Sequence, residues 1–220
     1  MNIFDIIGPV MVGPSSSHTA GAVKIGLVTK HLLGTRIVRA NIILHGSFAA
    51  TGKGHGTNQA ILGGLLGMKP DDERIPDSEQ IAEDTGMQFR FENKTIRDAH
   101  PNTVLLQVTG DNGREIEVQA SSIGGGSIMV NKIDGISVDF SGEHNTLIVH
   151  NIDQPGHVAA VTSTLSEQEI NIATMQLFRD SRGGYAVMVI ETDQVVPTSV
   201  IKCLEHFAGV IKVTYLSAIG

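Results

Sequence analysis

The chain has 220 residues, a formal net charge of −7, and is 41% apolar and 18% charged. That balance excludes disorder, which needs low hydrophobicity and high charge, and the 25 glycines speak against a long coiled coil. No Lys/Arg cluster marks a nucleic-acid footprint, and no apolar run approaches the roughly 18 residues of a membrane span. The lone cysteine permits no internal disulfide and leaves too few thiolates for an iron–sulfur cluster on this chain alone. The opening MNIFDIIGPVMVGPSSSHT lacks a basic n-region and carries Asp5, unlike a secretory signal, so a cytoplasmic location is expected.

In chain order, the apolar opening is broken by Gly-Pro at 8–9 and 13–14, which marks turns. Hydroxyl residues 15–19 then precede an apolar-periodic run, a helix start that predicts a helix over 19–33. Residues 38–48 read as a strand ending in a loop, and the Gly-rich stretch after it as a loop feeding a helix over 57–66. A short helix follows at 78–85. From 87 onward the pattern turns to alternation, with Asp111-Asn112-Gly113 and Asp134-Gly135 as hairpin turns. The polar SGEHN at 141–145 reads as a linker between domains over 1–140 and 146–220. The second of these has the order β-α-β-β-α-β, which is ferredoxin-like. Its last helix begins at Pro197, which suits the first helical position. On that helix Val200, Cys203, Leu204 and Phe207 share one face, so Cys203 is expected to be a buried core thiol.

Three stretches carry chemistry. In GPSSSHTAG, Ser15, Ser16, Ser17, Thr19 and the imidazole of His18 lie at a helix start, where unpaired N–H groups suit a carboxylate and His adds a group that titrates near neutrality. In HGSFAATGKGHGT, His45, Ser47, Thr51, Lys53 and His55 alternate with glycines that let backbone approach a ligand. Lys53 is not followed by Ser or Thr, so the Walker pattern for nucleotide phosphates is absent. His100-Pro101-Asn102-Thr103 and Ser121-Ser122-Ile123-Gly124-Gly125-Gly126 form the third set. There the triple glycine reads either as a bulge or close ligand approach, or as a plain turn. None of the nine histidines stands at metal-ligand spacing, so no protein-only metal site is expected.

Together FDIIGPVMVGPSSSHTAGA, GSFAATGKGHGT, HPNT and SIGGG, in this order, resemble the β chain of bacterial iron–sulfur L-serine dehydratases of the two-chain form. The likeness spans essentially the whole chain. It implies an α+β protein. The N-terminal part would be an α/β sandwich similar to the allosteric substrate-binding domain of some phosphoglycerate dehydrogenases, and the C-terminal part a βαββαβ ACT domain. It implies deamination of L-serine to pyruvate and ammonia with an α subunit whose cysteines hold a [4Fe–4S] cluster. On this resemblance His18, Lys53 and His55 are the expected catalytic residues. Ser15, Ser16, Ser17, Thr19, Ser47, His100, Asn102, Gly124, Gly125 and Gly126 are expected to bind substrate. In the ACT part, Asn151, Asp153 and Asn171 are the expected effector contacts, with Asn171 facing the turn at 151–156, and self-association is expected through this domain. The rival reading is a non-catalytic, serine-sensing regulatory subunit.

Overall fold

The computed structural model describes residues 10–51, 54 and 56–218. The chain divides into two compact units, Met1–Gly135 and Ile136–Gly220, a few residues before the linker read from the sequence.

In the first unit a π-helical turn, Ser16–Gly21, runs into α1 (Ala22–Leu33) and strand β1 (Ile37–Leu44). Next come α2 (Gly46–Thr51) and α3 (Thr57–Leu66). After α4 (Ser78–Asp84) the chain forms β2 (Gln88–Asn93), β3 (Thr103–Gly110), β4 (Glu115–Gly124) and β5 (Ser127–Ile133), and β6 (Ile136–Phe140) opens the range of the second unit. Within the first unit the sheet order is β2-β1-β3-β4-β5. β1 runs parallel to β2 and antiparallel to β3; β4 returns antiparallel on β3 across the 111–113 hairpin signal, and β5 antiparallel on β4. One face is covered, with α1 packing on β3, β4 and β5 and α3 packing on α1. Ile25, Leu32, Ile61, Leu65, Ile42, Leu106, Val118 and Ile128 are buried in this layer. The two helices cross where Gly26 meets Gly64. A Cβ on Gly64 would stand 2.9 Å from both Gly26 Cα and Leu27 N, so only glycine permits this approach.

The opposite face is polar. Arg90 Nε donates to Asn41 Oδ1 (2.9 Å), Asn41 Nδ2 to Gln107 Oε1 (2.8 Å) and Gln107 Nε2 to Glu117 Oε2 (2.8 Å), a ladder across four strands. This is the two-layer α/β arrangement expected of the N-terminal part. One local expectation is corrected. GSFAAT, read as loop, is the short helix α2, because Ser47 N–H donates to Pro101 O and the Thr51 hydroxyl to Ser47 O. The strand before it accordingly ends at Leu44.

The second unit contains β7 (Asn145–Ile152), α5 (His157–Glu167), β8 (Ile172–Arg179), β9 (Tyr185–Thr192), α6 (Thr198–Glu205) and β10 (Val210–Leu216). The sheet order β10-β7-β9-β8 is the ferredoxin-like split βαβ. Leu147, Val149, Met188, Ile190 and Val213 of the sheet pack on Val161, Leu165, Val200 and Leu204 of the helices. Two expectations for α6 are corrected. Pro197 is the residue before the helix, with extended ψ, rather than its first helical residue. Cys203 is exposed, not buried. Val200 and Leu204 alone define the buried stripe, and Cys203, one residue from Leu204, is turned about 100° away from it.

Candidate functional site

Antiparallel pairing gathers distant segments at one end of the first sheet. The C-terminal end of β1, the N-terminal end of β3, the C-terminal end of β4 and the N-terminal end of β5 all lie there. These ends carry His45–Ser47, His100–Thr103, Ser121–Gly124 and Gly125–Ser127. The turn Ser16–Gly21 packs against β4 and β5 at this same end, with Gly21 directly against the Ser122 side chain. Three of the sequence motifs are therefore one constellation in space.

His18 is its centre. Ser15, in extended conformation, caps the turn by accepting His18 N–H at 3.3 Å. The same Ser15 Oγ lies 3.2 Å from His18 Nδ1, and Ser47 Oγ lies 3.1 Å from Nε2. The ring edge meets the Phe48 ring, centroids 5.3 Å apart. An imidazole held between two hydroxyls takes a proton at one nitrogen and gives one up at the other. Ser16 and Ser17 are half-buried in the same turn, and Thr19 is buried with no partner for its hydroxyl among the described residues.

The wall is a turn fixed by its carbonyls. His100 O accepts the Thr103 hydroxyl (2.6 Å), Pro101 O accepts Ser47 N–H (2.8 Å), and Asn102 O accepts Ser122 N–H (2.9 Å). His100 itself is exposed, with Nδ1 accepting Asn102 N–H at 3.2 Å. The three glycines turn β4 into β5 with φ of 108°, 61° and 83° at Gly124, Gly125 and Gly126, values that disfavour a side chain. The glycines make a turn, and the register shift between Ser122 and Gly124 leaves half-exposed Ile123 as the extra residue of a bulge beside it, so the stretch has both features read from the sequence.

Lys53 and His55 fall outside the described residues. Sequence reasoning left His45 without a role. Its Nδ1 accepts Ile96 N–H at 3.0 Å, which ties the end of β1 to the segment after β2. It also missed Asn131, 2.7 Å from Ser121. Among the described residues no group of three or more His, Cys, Asp or Glu is arranged to hold a metal ion. The one thiol, Cys203, is an exposed residue of α6 in the second unit, so the residues present do not fit an iron–sulfur cluster.

In the second unit, Asn151 is buried and its Nδ2 donates to the Ile152 carbonyl at 2.7 Å. Asp153 accepts Gly183 N–H (3.0 Å) and Arg179 Nη1 (2.9 Å). The Gly183 N–H first, then the Arg179 hydrogen bond, hold its carboxyl below the usual carboxylate range. Asp153 thus braces the β8–β9 turn. Asn171 is corrected. Ile172 pairs with Thr192 and Asn145 with the same Thr192, whereas Ile152 pairs with Tyr185. Within one copy Asn171 therefore lies at the opposite end of the sheet from 151–153, with Nδ2 donating to Asp193 at 2.6 Å.

The family model described as "Serine dehydratase beta chain" matches residues 2–88, and the ACT domain model matches residues 145–207. A "Probable L-serine dehydratase, beta chain" of Bacillus subtilis is 41% identical, with 98% of each chain covered. An "L-serine dehydratase, beta chain" of Peptoniphilus asaccharolyticus is 40% identical over 87% of this chain and 86% of that one. A D-3-phosphoglycerate dehydrogenase of Bacillus subtilis is 26% identical over 60% of this chain and 25% of its own length. No described helix is long and apolar enough to cross a membrane.

Proposed function

Since the chain belongs to the L-serine dehydratase β-chain family, we propose that it works with a cluster-bearing α subunit to deaminate L-serine to pyruvate and ammonia by β-elimination. The carrying observation is the Ser15–His18–Ser47 arrangement beside the His100–Asn102 turn. Ser15–Thr19 receive the substrate carboxylate, using hydroxyls and the N–H groups of the turn. His18, poised between two hydroxyls, handles protons or orients the substrate hydroxyl, and Ser47 meets the substrate from the α2 side. Lys53 and His55 complete the site from the second loop. His100, Asn102 and Gly124–Gly126 shape its wall. The [4Fe–4S] cluster belongs to the α subunit, since this chain lacks the thiolates.

Anaerobic co-expression with the α chain, followed by a pyruvate assay with L-serine, tests this. Activity is expected only from the pair. The β chain alone is expected to show neither lyase activity nor cluster absorbance. A bound cluster in the isolated chain would overturn that division of labour.

The ACT domain is proposed to pair two copies of the chain, with Asn151 and Asp153 at the effector turn and Asn171 supplied from the opposite end of a second copy. Deleting residues 146–220 is expected to reduce self-association while leaving contact with the α chain. Sedimentation of the truncated chain checks it, and an unchanged dimer would assign self-association to the N-terminal unit.

A further inference from the structure

Asn131 stands at a β-bulge. Val118 pairs with Ile133 and Gln119 with Lys132, but Ala120 pairs with Val130, so Asn131 has no partner across the ladder. A bulge re-aims a side chain, and here Asn131 Oδ1, as it stands, lies 2.7 Å from the Ser121 hydroxyl, which donates to it. Ser121 Oγ lies 2.8 Å from Thr103 Oγ1, and the Thr103 hydroxyl donates to the His100 carbonyl at 2.6 Å. Thr103 is fully buried and Ser121 nearly so.

Counting hydrogens gives the chain a direction. Each hydroxyl owns one hydrogen. That of Thr103 goes to His100 O, so the contact between Thr103 and Ser121 must use the hydrogen of Ser121. The contact between Ser121 and Asn131 is then filled only if Asn131 donates. With Oδ1 facing Ser121, three contacts would share two hydrogens. Turning the amide over, which its near-identical oxygen and nitrogen permit, gives every contact a hydrogen. The order is Asn131 Nδ2–H to Ser121, Ser121 to Thr103, Thr103 to the His100 carbonyl. The next carbonyl of that turn, Pro101 O, holds Ser47 N–H, and Ser47 Oγ meets His18 Nε2.

We infer that Asn131 is a positioning residue for the serine site: as terminal donor of a buried hydroxyl chain it fixes the His100–Asn102 turn, and through it the seat of Ser47 against His18. This rests on the functional reading above.

The test is Asn131→Asp in the reconstituted two-chain enzyme, assayed from pH 5.5 to 8.5 well below its Tm. An ionised carboxylate only accepts, so it draws the Ser121 hydrogen away and breaks the chain. A neutral carboxylic acid donates again, and partial burial raises the pH at which that form persists. The expected result is kcat/KM about tenfold below wild type at high pH, the scale of one buried hydrogen bond. The variant-to-wild-type ratio should rise as pH falls. Ser121→Ala should lower kcat/KM with a ratio that does not change with pH, and it carries the test by itself if Asn131→Asp does not fold. A ratio for Asn131→Asp that is flat with pH, or a Ser121→Ala enzyme with wild-type kcat/KM, overturns the inference. His18→Ala separates the two levels. If His18→Ala loses turnover while Asn131→Asp does not, only the positioning role falls. If His18→Ala turns over normally, the site reading falls with it.

Discussion

Replacing His18 with Ala is expected to lower kcat of the two-chain enzyme by about 10²- to 10⁴-fold, the range for a positioned acid–base group. Both ring nitrogens are engaged by hydroxyls, Ser15 on one side and Ser47 on the other, and the ring is set by Phe48. Alanine removes the one imidazole of this turn and leaves the Ser15 and Ser47 hydroxyls without it. The fold should persist, since the ring is only half-buried and the cap from Ser15 uses the backbone N–H of residue 18, which alanine retains. His206→Ala is the control. His206 is exposed at the end of α6 in the second unit, and its replacement should leave turnover near wild type. Steady-state pyruvate release with L-serine measures both. Near-normal kcat for His18→Ala would remove it from the mechanism.

Gly64→Val should be the most damaging substitution for the fold. A Cβ on Gly64 meets the backbone of α1, with Gly26 Cα and Leu27 N both at 2.9 Å, and a Cβ on Gly26 meets Gly64 Cα and Leu65 N at 2.8 Å. Backbone cannot rotate away, so the helices must separate and unpack the layer over the sheet. A loss of about 3 kcal/mol or more is expected, a fall in Tm on the order of 10 °C. Gly63→Ala provides the contrast one residue away. The nearest atoms to its Cβ are in the Ile75 and Met68 side chains, the closest at 3.3 Å. These can shift, while alanine gains about 1 kcal/mol of helix propensity. Differential scanning calorimetry of both variants decides it. Equal melting temperatures would mean that the crossing does not depend on close approach.

Much of the fold was legible because its signals are local. The hairpins at 111–113 and 134–135, the helix starting at 57 and the whole βαββαβ order follow from turn residues and periodicity. Helix α2 was not, since six residues are too few to show a helical period and its support comes from Pro101, far along the chain. Cys203 was misplaced because a face of helical spacing was drawn too wide, taking in a residue beside the true Val200–Leu204 stripe. In the site, His18 and the hydroxyls announced themselves by density. Asn131 did not, although a trace exists. The buried apolar positions of β5 step from 128 to 130 and then to 133, and that break in alternation is what a bulge leaves in a sequence. The place of Asn171 within one copy was not legible for a different reason. Which end of a sheet a loop occupies is set by strand pairing, and no motif encodes it.

The gathering of the motifs at one sheet end also bears on when the protein acquires competence during folding. Ser47 reaches the Pro101 carbonyl across more than fifty residues, and the turn carrying His18 rests on β4, about a hundred residues onward in the chain. Such contacts close large loops, and their entropic cost must be met before any pairing energy returns. The pairing of β3 with β4 closes only a short loop, but the site does not. Its parts come together only after β1 has found β3 and the N-terminal turn has settled on β4. Recovery of activity on adding the α chain to refolding β chain should therefore lag behind the return of secondary structure, and a nascent chain cannot assemble the site until the strand at 127–133 has joined the sheet.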